Sequence, residues 1–121
     1  MKTHKVFVYG TLQSGNTQRG LDQFGSHAEL IGPAHTTEGE FNMYDLGAFP
    51  GVVLQGTHNV VGQVWEVSNE AFDQLDMIEG YPGFYDRRPT ETTLGLAWMY
   101  YLPDEYDAEF VPDNNGVVQW S

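Results

Sequence analysis

The apolar and polar positions of the chain fall into short strand-like runs and one strong helical pattern. Lys5-Val6-Phe7-Val8-Tyr9 is β-branched and aromatic, ends at Gly10, and reads as a buried first strand. Gln13-Ser14-Gly15-Asn16 is a turn, and residues 17–24 accommodate a short helix. Residues 28–44 have strand character interrupted by Gly32-Pro33 and Gly39. A Pro50-Gly51 turn precedes Val52-Val53-Leu54, and residues 60–67 alternate as a strand. The best helix starts after Ser68, a good N-cap, with Glu70 in the first turn where the helix dipole favours an acid. It runs to Ile78 or Glu79 and stops at Gly80, with Pro82 beyond. Residues 85–93 and 95–102 are two strands turning at Leu94-Gly95. Beyond Pro103 the chain is acid-rich and loop-like until Val117-Val118-Gln119-Trp120. No internal repeat or low-complexity tract divides it. The expectation is one α+β domain over residues 1–121, its sheet curling into a small mixed barrel.

The helical pattern contains one anomaly. At about 100° per residue, Ala71, Phe72, Leu75 and Ile78 form an apolar stripe, and Glu79 falls on it between Phe72 and Leu75. Asp73 and Gln74 lie off the stripe, where polar residues belong. A carboxylate on the buried side costs several kcal/mol unless it is hydrogen-bonded, paired or neutralised. Two readings of Glu79 follow: a helix-end acid paired with Arg87 or Arg88 or reaching solvent, or a pocket carboxylate desolvated into the range of a general base.

Composition narrows the partners. The 121 residues carry 17 acidic and 5 basic side chains, a formal charge of −12. Five cations cannot neutralise a phosphate backbone or an anionic membrane, so neither nucleic acid nor membrane is expected as a partner. Zero cysteines remove disulfides, thiolate metal sites and cysteine nucleophiles, and fit a reducing cytoplasm. No apolar run reaches the roughly 18 residues of a membrane span, and the N-terminal run is too short for a signal-peptide core.

Tyr9-Gly10-Thr11-Leu12 is the second candidate feature. Glycine at a strand end lets the chain turn sharply, and successive N–H groups there can form a nest for a carboxylate or oxyanion. An ordinary strand-ending turn is the competing reading. No phosphate loop, dinucleotide fingerprint or Gly-x-Ser-x-Gly elbow is present. His4, His27, His35 and His58 are scattered without metal-like spacing. Asp73, Asp76 and Glu79 spread over about 120° of the helix, a poor arrangement for one metal. By strand alternation Trp98 and Tyr100 share one face, and Met99 and Tyr101 the other.

Val8-Tyr9-Gly10-Thr11-Leu12, Gly15-Asn16, Gly62-x-Val64-Trp65-x-Val67 and Leu75-Asp76-x-x-Glu79-Gly80-Tyr81-Pro82-x-x-Tyr85-x-Arg87 occur in an order and spacing that resembles the γ-glutamylcyclotransferase-like proteins. The Tyr-Gly-Thr-Leu form is nearest to the γ-glutamylamine cyclotransferases, and Phe49-Pro50-Gly51-Val52-Val53 is similar to bacterial and phage-like members. The likeness runs from about residue 6 to 102. It implies a small mixed β-barrel flanked by short helices. It also implies cyclisation of a γ-glutamyl group to 5-oxoproline, with release of the attached amine or peptide and no cofactor or metal. Glu79 takes the position of the catalytic acid/base, and Tyr9, Gly10, Thr11 and Leu12 that of the substrate-binding loop. Tyr85 and Tyr100 take pocket positions.

In one respect the chain departs from its type: Gln13-Ser14 stands where a Lys or Arg is common. Residues 104–109 read as a solvated acidic loop. Bordering the pocket instead, they would disfavour anionic substrates such as glutathione and favour a γ-glutamyl amine. A non-catalytic module, binding a small metabolite or another protein on the same barrel, is the alternative from a different class.

Overall fold

The chain is described from a computed structural model that covers residues 3–9, 28–46, 50–78 (Ile78 by its backbone alone), 81, 83–103, 109–113 and 115–119. The apolar run expected as the first strand forms β1 (Thr3–Val8). It is followed by β2 (Ala28–His35), β3 (Phe41–Asp45), β4 (Pro50–Ser68), α1 (Asn69–Ile78), β5 (Asp86–Thr92), β6 (Gly95–Tyr101), β7 (Glu109–Phe110) and β8 (Val117–Val118). Strands β5-β6-β1-β4-β3-β7 lie side by side, and β2 and β8 also pair with β4. The sheet is mixed, because β1 runs parallel to β6 and β4 parallel to β8.

β4 organises the molecule. Its second half lies antiparallel to both β1, from Thr3 opposite Ser68 to Val8 opposite Gln63, and β2. Its first half pairs with β3. Pro50-Gly51, expected as a turn, is the start of this strand, and the two short strands expected at 52–54 and 60–67 are one strand of 19 residues. A register shift between Phe41 and Asn42 absorbs the bend opposite them. β3 pairs with residues 50–53 and with His58, so residues 54–57 of the long strand fall within that register shift.

Alternation sends the side chains of the sheet into two apolar clusters. Val6 and Val8, with Val53, Trp65 and Val67, pack with Ala71, Phe72 and Leu75 of α1. Phe7 and Tyr9, with Val52, Val60 and Val64, fill the opposite side together with Phe41, Met43, Ala97 and Met99. Trp98 and Tyr100 go with the helix side and Met99 with the other, as alternation predicts.

The sheet is not closed, so "barrel" describes it only loosely. The end of β2 meets β5 through one isolated bridge, Thr36 to Thr92. Thr37 N–H donates to Glu91 O at 3.2 Å and Thr93 N–H to His35 O at 3.0 Å. A bulge between Leu30 and Gly32 and the proline at 33 break the regular run of donors that a closing ladder requires.

α1 begins as its sequence predicts. Ser68 Oγ accepts the Ala71 N–H at 3.2 Å, the N-cap bond to the third helical residue. Ala71, Phe72 and Leu75 are buried and Asp73 is exposed. Burial of Phe72 and Leu75 is worth about 1.5–3 kcal/mol for each side chain. At the other end Tyr81 N–H donates to Asp76 O at 2.8 Å, a bond spanning five residues of the kind that closes a helix. Glu109, expected in the acidic loop, lies in β7 paired with Asp45 of β3. The turn at residues 13–16 and the short helix at 17–24 lie outside the described residues, as do Asp104 to Ala108 and Trp120. Among the described residues no helix is long and apolar enough to cross a membrane.

Candidate active site

Three segments far apart in sequence meet at the start of β4. Tyr9 follows β1 directly and its ring is buried on the side away from α1. Its hydroxyl donates to Tyr100 O at 2.7 Å and accepts the Val52 N–H at 3.2 Å. One phenol thereby ties the end of β1 to β6 and β4. Tyr85, just before β5, donates its hydroxyl to Pro50 O at 2.7 Å. Leu102 N–H reaches Val52 O at 2.7 Å. Residues 50–52 are therefore gripped from β1, from the approach to β5 and from the end of β6.

Close approach explains the glycines here. A Cβ on Gly51 would stand 2.1 Å from Leu102 Cδ1, and one on Gly62 would stand 2.2 Å from Val8 O. Glycine at 62 lets the chain that leads to Tyr9 pack at backbone distance, and glycine at 51 leaves room for the Leu102 side chain.

On the helix side, Tyr100 donates its hydroxyl to Asp76 Oδ1 at 2.6 Å. Arg87 of β5 completes the cluster: its Nη2 donates to Asp76 Oδ2 at 3.3 Å. Its Nε lies 2.9 Å from Oδ1 as a close ion pair, but that N–H is not directed at the oxygen. Both charged side chains are largely buried, 17% and 16% exposed, so the pair is shielded from solvent screening. The guanidinium also lies over the rings of Phe72, Tyr81 and Trp98, at 4.3, 4.5 and 4.5 Å from their centroids. Such cation–π contacts suit a flat, weakly hydrated guanidinium.

Tyr9, Tyr85 and Tyr100, the described candidates from sequence, are thus brought into one linked network, although each hydroxyl binds a protein group. Gly10, Thr11, Leu12 and Glu79 lie outside the described residues; α1 ends at Ile78, one position before Glu79. Of the two arginines considered as partners for that acid, Arg87 engages Asp76, and Arg88 lies 3.8 Å from Glu40. The Asp76–Arg87 pair escaped the sequence reading, which weighed Asp76 only as a metal ligand. Its signal was present: Asp76 is four residues after Phe72, so it borders the apolar stripe.

Other titratable groups are spread apart. His4 packs on Phe72, His35 Nδ1 bonds Thr36 O, and His58 stands between Asn42 and Asp113. His27 lies outside the described residues. Among the described residues no three His, Asp or Glu side chains could hold a metal ion. The Tyr101 phenol is raised above 10.0 by burial, then by the charge of Asp86 and the hydrogen bond donated to it.

Among the described residues, the mixed sheet with α1 against its face matches solved AIG2-like structures. The solved mouse AIG2-like protein superposes with a TM-score of 0.77 over 88% of this chain and 82% of its own, at 24% identity. The solution structure of Escherichia coli ytfP matches with a TM-score of 0.64 at 30% identity, over 88% of this chain and 90% of its own. By sequence the chain matches the family "gamma-glutamyl cyclotransferase, AIG2-like" over residues 6–118, and it belongs to that family. A Vibrio cholerae protein, provisionally named a γ-glutamylcyclotransferase, is 42% identical over 96% of both chains. The bovine γ-glutamylaminecyclotransferase is 38% identical over 88% of this chain and 69% of its own.

Proposed function

We propose that this protein is a cofactor-free cyclotransferase that converts a γ-glutamyl amine to 5-oxoproline and the free amine. The observation that carries the reading is the convergence of the family's motif segments: Tyr9, Pro50 to Val52, Tyr85 and Tyr100 form one network beside the helix end that precedes Glu79.

The chemistry needs one well-placed acid. The substrate's α-amine attacks its own γ-carbonyl carbon, and Glu79 accepts the proton that the nitrogen loses. The bond between that carbon and the departing nitrogen then breaks, and the protonated Glu79 returns its proton to the amine. N–H groups of Gly10, Thr11 and Leu12 hold the α-carboxylate and oppose the charge growing on the carbonyl oxygen. Ring closure joins two ends of one molecule, so holding the glutamyl chain folded supplies much of the acceleration.

Charge supports an amine rather than an anionic leaving group. Exposed Glu109 pairs with Asp45, and Asp45 with Pro50, whose carbonyl takes the Tyr85 hydroxyl. This acidic edge beside the tyrosine network favours a cationic amine and opposes glutathione.

The test is 5-oxoproline release from a panel of γ-glutamyl amines and from glutathione, comparing wild type with Glu79→Gln. Turnover of amines that is abolished by Glu79→Gln is expected. Turnover surviving the substitution refutes the acid/base role, and preferential cleavage of glutathione refutes the substrate class. Absence of turnover with a small metabolite retained on the protein would instead establish the binding module.

A further inference from the structure

Asp76 sits in the last turn of α1, where the negative end of the helix dipole disfavours an acid and the helix itself offers no basic residue. The compensating cation comes from a different element. Arg87 of β5 pairs with the carboxylate, and Tyr100 of β6 donates to the same group. The backbone of Asp76 meanwhile accepts the Tyr81 N–H, and the Tyr81 ring covers the Arg87 guanidinium. One arginine therefore holds the chain three residues before position 79 by charge and two residues after it by its contact with the Tyr81 ring.

We propose that Asp76 and Arg87 are positioning residues, fixing the chain on both sides of position 79 against β5 and β6. The inference rests on the acid/base reading of Glu79 given above. A salt bridge serving stability alone has no need of this arrangement, because apolar residues of similar volume stabilise as well or better. A planar guanidinium can pair with a carboxylate while lying over three aromatic rings, and lysine cannot reproduce this. Placement matters because an error of about 1 Å in a reacting group costs on the order of 100-fold in rate.

Two measurements on the intact protein test this. The first is amide hydrogen exchange across residues 77–81 without substrate. The second is steady-state 5-oxoproline formation from γ-glutamyl-lysine joined through the lysine side chain, run well below each variant's melting temperature. Asp76→Asn and Arg87→Lys are expected to speed exchange at 77–81 by about tenfold, while the amides of β1 and β4 stay unchanged. They should lower kcat roughly 10- to 100-fold and leave KM within about threefold. Tyr100→Phe, which removes one hydroxyl from Asp76, should move both readouts the same way by less. Unchanged exchange in both charge variants overturns the proposal, as does a kcat within twofold of wild type. A fall in kcat without faster exchange overturns it too. Wild type inactive on γ-glutamyl amines sinks the activity reading and this one with it. Active wild type with unaffected variants sinks this one alone.

Discussion

Gly62→Ala probes how closely β1 must lie on β4 to deliver Tyr9 to its place. The added methyl would stand 2.2 Å from Val8 O, 2.9 Å from Phe7 Cζ and 3.0 Å from Val8 C, where ordinary contact is 3.4–4 Å. The nearest obstacle is backbone, so no rotamer change relieves it, and β1 must retreat by about an ångström while remaining paired with both β4 and β6. Overpacking of this kind costs about 1–3 kcal/mol, and a backbone obstacle places it at the upper end. For a chain of this length that lowers the melting temperature by roughly 5–15 °C. Gly51→Ala is the informative partner, because its methyl meets Leu102 Cδ1 and Cγ, at 2.1 and 2.7 Å, rather than backbone. Thermal unfolding followed by circular dichroism should show that Leu102→Ala offsets much of the Gly51→Ala loss, a coupling that a double-mutant cycle measures. The same truncation should give Gly62→Ala no relief. A melting temperature for Gly62→Ala within about 2 °C of wild type would refute the close-approach reasoning.

Other outcomes follow from single contacts. Ser68→Ala removes the acceptor of the Ala71 N–H and should cost about 1 kcal/mol, read as a lower denaturation midpoint at unchanged slope. The Tyr101 phenol should titrate above the ordinary tyrosine value in ultraviolet absorbance, and Asp86→Asn should bring it down. Because folding raises that pKa, the neutral phenol's contribution is complete below pH 10.0 and declines as pH climbs through the raised folded value. A Tyr101 that ionises at the ordinary value in the folded protein would contradict this environment.

Much of the scaffold was legible in local pattern. β1, the second half of β4, the β5–β6 hairpin and α1 each follow from short-range rules: alternation, a two-residue turn before Gly95, a serine cap and an apolar stripe. The legibility failed where a neighbour decided the conformation. Pro50-Gly51 looks like a turn by composition, yet β3 pairs with it and Tyr85 binds its carbonyl, so it extends as strand. Glu109 looks like solvated loop, yet Tyr44 and Asp45 give it a pairing partner and Phe110 stacks on Tyr44 at 4.7 Å. Open edges of the sheet recruit segments whose own propensity is weak.

The candidate site divides along the same line. The sequence by itself determined which residues carry the family's motifs, that the fold is mixed α+β, and that the formal charge is −12. Chain order and side-chain chemistry suffice for those statements. Tertiary structure alone decided that Tyr9, Pro50, Tyr85 and Tyr100 belong to one network, and that Asp76 finds its cation on β5 rather than on its own helix. Those contacts join residues 11 to 91 positions apart. No periodicity within a segment can encode them, because they exist only once the sheet has brought its strand ends together.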